Sequence, residues 1–375
     1  LPAWTYDDAE FHALEVERIF RPSWQIVCHV SDLAQSGDWH SLDYVGESVV
    51  VVRGEDREIR AFANVCRHRG SRLVDGDSGC AKKLVCPYHA WTYALDGRLT
   101  GVPDAASYPA LDRAKAGLVP VDLEIWQGFV FVRLDNKGGP SVAEMMAPYF
   151  DQIAPYRFDQ LAALGRVTIR PRAVNWKNVG DNYSDGLHIP VAHPGLTRLF
   201  GKSYGVEAQP HVDRMWGDMT DRPSANWSER LYQRLLPPAP HLPAANQRRW
   251  LYFKMWPGVA FDIYPDQVDF MQWLPTGPAS CVIREISYAL PDDPNDPWRR
   301  EMRAARYLNW RINRRVNAED SALIARVQAG MASHSFSIGP LSDKEVCLQS
   351  FCRRMRALIP QARLEQRPAA GWSTA

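Results

Sequence analysis

Cysteine is scarce in this 375-residue chain, with seven residues spread from Cys28 to Cys352. An odd, sparse set excludes a disulfide-stapled secreted scaffold and points to a reduced, cytoplasmic protein. Long apolar runs are missing too; none approaches the roughly 20 residues that span a bilayer. The first ten residues, Leu1 to Glu10, carry no basic start followed by an apolar stretch, so a signal peptide is not expected. Charge of one sign is also absent. A formal net charge of +1 gives no field to draw nucleic acid or an acidic membrane surface. There is no Gly-x-Gly-x-x-Gly dinucleotide fingerprint, no internal repeat and no low-complexity tract.

What is there suggests more than one domain, since the length exceeds one ordinary small core. Residues 7–21 predict a helix, with Phe11, Leu14, Val16, Ile19 and Phe20 as a ragged apolar stripe ended by Pro22. From about Asp38, short β-branched runs such as Val49-Val50-Val51-Val52 and Phe129-Val130-Phe131-Val132 alternate with Gly, Pro and Asp turns. Lys137-Gly138-Gly139-Pro140 punctuates the end of this module. Further on, the pattern predicts a strand over 166–172, a helix over 175–186 and a loop-rich cover over 204–249. Four antiparallel strands are expected over 250–255, 259–264, 268–274 and 281–289, then helices over 296–329 and 343–358. The fold class is α+β: an N-terminal helical segment (1–37) packing on the larger domain (141–375), with a small all-β domain (38–140) between them in the chain.

Two constellations carry chemistry. Cys66-Arg67-His68 and Cys86-Pro87-Tyr88-His89 each offer one thiolate and one imidazole in a Gly/Pro-rich loop. Thiolates neutralise Fe(III), while neutral imidazoles on a second iron leave a [2Fe–2S] cluster less negative and raise its potential. A Cys2His2 zinc site uses the same residue types, although zinc knuckles more often pair like ligands. Cys80, with no histidine near it, is expected to be a structural thiol, and Cys28 to lie in the core. The second constellation is His188 and His193, five residues apart, with Asp185 three residues before the first. Two histidines and a carboxylate on one face of Fe(II) leave open positions for dioxygen. A carboxylate such as Asp185 is what orients a metal-bound imidazole from outside the ligand set. The third ligand must come from elsewhere. Glu319 and Asp320 on the long C-terminal helix point roughly 100° apart, so only one can serve.

Cys66-x-His68 with Cys86-Pro87-Tyr88-His89-x-Trp91, followed by the Asp185/His188/His193 segment, resembles the Rieske-type non-haem iron ring-hydroxylating oxygenases over nearly the whole chain. The resemblance implies a Rieske [2Fe–2S] domain and a helix-grip catalytic domain in which helices cover an antiparallel sheet. Cys66, His68, Cys86 and His89 would hold the cluster under Trp91, and His188, His193 and Asp320 the iron. Asp185 would bridge His188 to His89 of another subunit, in a head-to-tail homotrimer. One departure stands out: Asn182 lies three residues before Asp185, where some dioxygenases have an Asn four before. The roles of Asp181 and Asn182 therefore stay open. Electrons would come from NAD(P)H through a separate flavin/iron–sulfur reductase or a ferredoxin. The patterns Asn317-x-Glu319-Asp320, Val327-Gln328-x-Gly330-Met331 and Gly339-Pro340-Leu341-Ser342 look most like the betaine, carnitine and stachydrine oxygenase branch. The expected reaction is thus hydroxylation or N-demethylation of a small quaternary ammonium compound. Ring hydroxylation of an aromatic compound or aromatic acid is the alternative, and a Rieske electron carrier the non-enzymatic one. Phe253, Trp256, Phe261, Tyr264, Phe270 and Trp273 are the aromatic candidates for a pocket, of which strand alternation turns about half away.

Overall fold

The computed structural model describes residues 1–372. These form two compact units, one of Arg21–Val142 and one of Leu1–Phe20 with the chain from Ala143 onward. No helix among the described residues is long and apolar enough to cross a membrane.

The first unit is built of β1 (Gln25–His29), β2 (Asp38–Tyr44), β3 (Glu47–Arg53), β4 (Ile59–Ala63), β5 (Ser78–Cys80), β6 (Leu84–Val85), β7 (Thr92–Tyr93), β8 (Leu99–Gly101), β9 (Asp122–Trp126) and β10 (Phe129–Arg133). They make three sheets, ordered β1-β10-β9, β4-β3-β2-β5 and β6-β7-β8. The expected boundary at residue 37 falls too late. All five residues of β1 are buried, and Gln25 to His29 pair with Val132 to Phe129 of β10. A strand buried on both faces needs the ladder that only this unit supplies, so residues 21–37 belong with the β unit. Trp39, Val50, Val52, Phe62, Leu73, Leu84 and Tyr93 form one core cluster, and Cys66 and Cys86 are inside it. Cys28 is buried in β1, whereas Cys80 is exposed on β5 rather than packed.

In the second unit, α1 (Ala9–Glu15) is shorter than expected and passes into a π-helical turn at Val16–Phe20. Asp8 caps it by accepting from the Phe11 N–H. Phe11, Glu15, Ile19 and Phe20 all point inward. Glu15 meets Lys177 at 2.5 Å with both side chains fully buried, and accepts from the Trp176 indole at 3.0 Å. Burial drives the Lys177 ammonium downward in pKa, and Glu15 opposes that. This ion pair ties the N-terminal segment to the helix that leads into the histidine segment.

The short helices α2 (Val142–Met146) and α3 (Phe150–Ile153) precede an antiparallel sheet of β11 (Ala162–Ala163), β12 (Thr168–Arg172), β13 (Gly205–Ala208), β14 (Val212–Asp218), β15 (Arg249–Met255), β16 (Val259–Ile263), β17 (Val268–Gly277) and β18 (Ser280–Ala289). Its order is β11-β18-β17-β16-β15-β14-β13, with β12 also on β18. The helices are α4 (Trp176–Ser184), α5 (Ile189–Ala192), α6 (Pro194–Phe200), α7 (Trp227–Leu235), α8 (Arg299–Met331) and α9 (Val346–Leu358). Residues 204–249 are therefore not only loop, since they hold β13, β14 and α7. Charged residues hid them. Asp213 and Arg214 interrupt β14, and α7 presents just two turns, capped by Asn226 accepting from the Ser228 N–H.

Register decides which side chains face the helices. Phe253, Phe261, Phe270 and Ile286 are successive cross-strand partners on one face; Tyr252, Asp262, Asp269 and Ser287 are partners on the other. Replacing Glu15 by Leu should strand the Lys177 ammonium and lower stability by roughly 3–5 kcal/mol in denaturant titration. Adding Lys177→Met should restore most of that loss; a double variant no more stable than the single one contradicts the pairing.

Candidate functional site

In the β unit, two loops are built on one plan. The Cys66 carbonyl accepts from the Gly70 N–H and the Cys66 N–H donates to Ser71; likewise the Cys86 carbonyl accepts from Ala90 and the Cys86 N–H donates to Trp91. The fifth residue of each takes positive φ, +76° at Gly70 and +56° at Ala90. Glycine adopts this freely, while alanine bears strain of about 1 kcal/mol. The loops bring Cys66, His68, Cys86 and His89 together. The two imidazole rings lie 4.6 Å apart, and Trp91 stacks on His68 at 4.9 Å and 8°. Burial works against the Cys86 thiolate. Backbone N–H groups of Tyr88 and His89, with Cys66 and Ser71, outweigh it and hold this thiol below its ordinary pKa. Burial, His68 and Arg69 together hold the His89 imidazole below its ordinary pKa.

In the second unit, α4 ends at Asp185, which caps it in an extended conformation. One Asp185 oxygen accepts from the Leu187 N–H at 2.7 Å; the other accepts from the His188 N–H at 3.2 Å and lies 3.0 Å from His188 Nδ1. One carboxylate thus shapes the turn and orients the ring. Pro190 is the second residue of α5, two after His188, and Pro194 opens α6 directly after His193. The Nε2 atoms of His188 and His193 sit 3.0 Å apart, and Asp320 Oδ1 from α8 lies 2.9 Å from the latter and 3.6 Å from the former. These three residues could hold a metal ion, with donor atoms all within 4.8 Å.

Glu319 and Asp320 diverge around α8 as expected, but Glu319 is not idle. Its Oε2 lies 2.9 Å from His193 Nδ1, so each histidine has its own outer carboxylate. Sequence reasoning weighed Glu319 only as a rival ligand and missed this role; the adjacent acidic pair was its one signal. Asn182 donates to Asp320 Oδ1 at 2.7 Å, which gives it a place beside the ligand set. Asp181 turns away and accepts from the Tyr6 hydroxyl at 2.9 Å.

The residues fit inorganic partners. His68 Nδ1 is buried with no hydrogen-bond partner among the described residues, next to two buried thiols. That is what an unfilled ligand atom looks like. Asp185 and Glu319 lie at the two Nδ1 atoms, and His188 and His193 turn their Nε2 atoms toward each other and toward Asp320, an arrangement that calls for positive charge among them. The electrostatics agree. Burial disfavours the His188 imidazolium, yet Asp185 and Asp320 push its pKa up to about 9. Burial also opposes the Asp320 carboxylate, but both imidazoles and Asn182 hold it down at about 2.

A cavity of about 80 Å³ opens on these three residues. Tyr183, Tyr204, Tyr252 and Tyr264 line it together with Asp262 and Glu285. Of the six expected aromatic candidates only Tyr264 is among the lining residues; Phe253, Phe261 and Phe270 lie on the other face of the sheet.

The family model described as "Ring hydroxylating alpha subunit (catalytic domain)" matches residues 158–361, and the "Rieske [2Fe-2S] domain" model matches residues 23–116. The carnitine monooxygenase oxygenase subunit of Escherichia coli (strain K12) is 38% identical over 230 residues, 61% of this chain and 57% of that protein. The glycine betaine monooxygenase oxygenase subunit of Chromohalobacter salexigens is 35% identical over 230 residues, 61% of this chain and 51% of that protein. The matches thus span little more than half the length of those curated relatives. A solved quaternary ammonium Rieske monooxygenase shares the fold at a TM-score of 0.78 and 23% identity, over 97% of this chain and 95% of that one. Paired with the two sites described above, these matches show that the chain belongs to the ring-hydroxylating oxygenase alpha subunits, with a Rieske [2Fe–2S] cluster and a mononuclear iron as its cofactors.

Proposed function

We propose that the chain is the terminal oxygenase of a multicomponent system that hydroxylates or N-demethylates a small quaternary ammonium substrate. Electrons would come from NAD(P)H through a separate flavin/iron–sulfur reductase or ferredoxin. The observation that carries this reading is the His188, His193 and Asp320 set opening onto a cavity lined by four tyrosines and two further carboxylates. Tyrosine faces attract an ammonium head through their ring quadrupoles. When bound, the iron activates dioxygen and the cluster delivers electrons singly.

In this reading Cys66, His68, Cys86 and His89 hold the cluster, and His188, His193 and Asp320 hold the iron. Asp185 and Glu319 fix the two histidines in the tautomer that points Nε2 inward. Asp185 further links His188 to His89 of a second copy in a head-to-tail homotrimer. Exposed apolar side chains support such packing: Val327, Phe336, Ile338 and Leu341 share a cleft with Asp185, and Val85 and Tyr88 are exposed at the cluster loops.

Hydroxylation of an aromatic ring is the second reading, since tyrosines also stack on arenes. The lining argues against an aromatic acid, for Asp262 and Glu285 in the wall favour a cation over a carboxylate. A bare electron carrier would leave the second unit, with its ligand set, without use.

The main test is dioxygen consumption with a surrogate reductase across quaternary amines and aromatic acids; turnover of the acids alone would replace this reading. His188→Ala should keep the red-brown absorption, reduce iron from about three to about two per chain and abolish turnover. Cys86→Ser should remove the visible spectrum altogether. Glu319→Gln should weaken iron retention about 10–100-fold in a chelator competition, with the cluster spectrum unchanged. Asp185→Asn should leave both metals bound while NAD(P)H-coupled turnover falls at least ~100-fold; normal turnover would rule out the intersubunit link.

A further inference from the structure

The charges around the substrate cavity are one-sided. No lysine or arginine is among its lining residues, while Asp185, Asp262, Glu285 and Asp320 all are. Three of the four are already matched. Asp185 and Asp320 are engaged with the histidines. Glu285 forms an ion pair at 2.5 Å with Arg170, which lines a neighbouring cleft and not this cavity.

Asp262 is the exception. It stands on β16 directly opposite another carboxylate, Asp269, across the strand pair. Its hydrogen-bond donors are neutral phenols: the Tyr183 hydroxyl, in a short contact, and Tyr264. Burial, reinforced by Glu285, pushes its carboxyl up to about 7 despite these two donors. A buried carboxylate whose hydrogen-bond donors are phenols is costly to ionise unless a ligand brings positive charge. The tyrosines that touch it form the walls, with Tyr252 lying 6.5 Å from Tyr183 and 6.4 Å from both Tyr204 and Tyr264.

The same cavity is poorly furnished for an anion. The two amide donors of Asn313 are spent on Tyr264 and Asn309, and Asn182 donates to Asp320. A substrate carboxylate would find no lysine or arginine in that wall to pair with and would face Asp262. Like charges brought together out of water repel more strongly than an added cation–π contact attracts.

We infer that this site takes an ammonium substrate with net positive charge and no carboxylate, with Asp262 as the counter-charge that selects it. The inference rests on the ammonium reading above and narrows it. Carnitine and glycine betaine, the compounds in the names of the two relatives, each carry a carboxylate and would be poor substrates here.

The test uses the holoenzyme with a surrogate reductase and three probes of matched shape: choline, its uncharged isostere 3,3-dimethylbutan-1-ol, and glycine betaine. Calorimetry supplies affinity independently of turnover. Choline should show a kcat/KM and an affinity at least tenfold above glycine betaine. Asp262→Asn should cut choline affinity at least tenfold and leave the neutral isostere within twofold. Glycine betaine equal to or better than choline in the wild-type protein overturns the inference but leaves the ammonium reading standing. Equal losses for choline and its isostere in Asp262→Asn also overturn it, because a packing role would do that. If no ammonium compound binds the wild-type protein at all, the ammonium reading itself fails. The wild-type comparison decides the matter even if Asp262→Asn does not fold.

Discussion

Two imidazole nitrogens held 3.0 Å apart define the tension around which the larger unit is arranged. Such a pair is stable only with positive charge between or upon it, and the surroundings are built to supply that demand rather than relieve it. Asp185 and Glu319 occupy the outward nitrogens, so neither ring can turn away. Asp320 closes the third side. The scaffold that holds this geometry is made of helix ends and one long helix. Prolines stand in the first turn of α5 and of α6, just after each histidine, and α8, 33 residues long, carries Glu319 and Asp320 on neighbouring faces. Side chains on rigid elements, each held by a second partner, are what a metal site needs for a defined coordination geometry.

The cavity beside that site follows from the pleat of the sheet. Alternation sends Phe253, Phe261 and Phe270 into the core on one face and Tyr252, Asp262 and Asp269 to the other. A row with aspartates directly opposite each other is unfavourable in an isolated sheet. It persists here under the cover of helices that bring Tyr183 and Asn313 over the same face. Stability is given up locally in exchange for a negatively polarised chamber, a pattern common at functional sites. On the proposed reading, substrate charge and metal charge become two separate requirements of one cavity.

The cluster loops show the complementary strategy, in which an apolar core surrounds Cys66 and Cys86 while His68 and His89 are half-buried at its edge. Cys66 and Cys86 lie within an apolar cluster, and matched turns aim the side chains inward. The histidines sit at the third residue of one turn and the fourth of the other, so identical backbones deliver different ligand spacings. Trp91 roofs His68 by stacking.

Much of this was legible in the chain itself. Cys66, His68, Cys86, His89, Asp185, His188 and His193 lie in short segments where one turn of backbone fixes their neighbourhood, and local geometry is what sequence spacing encodes. The strand meander from Arg249 to Ala289 was equally readable, because apolar alternation over several residues has one structural solution. Residues 204–249 were not, since charged side chains masked β14 and α7 is too short to show a period. Three matters waited for the tertiary structure: that Glu319 restrains His193 from 126 residues away, that Tyr264 alone among the expected aromatics reaches the cavity, and that Asp262 has no basic partner there. Each depends on strand register or helix rotation relative to a distant element, and a shift of one residue in either would reverse it. Spacing along the chain can name the atoms that bind metal; only packing determines which charges are left over for a substrate to answer.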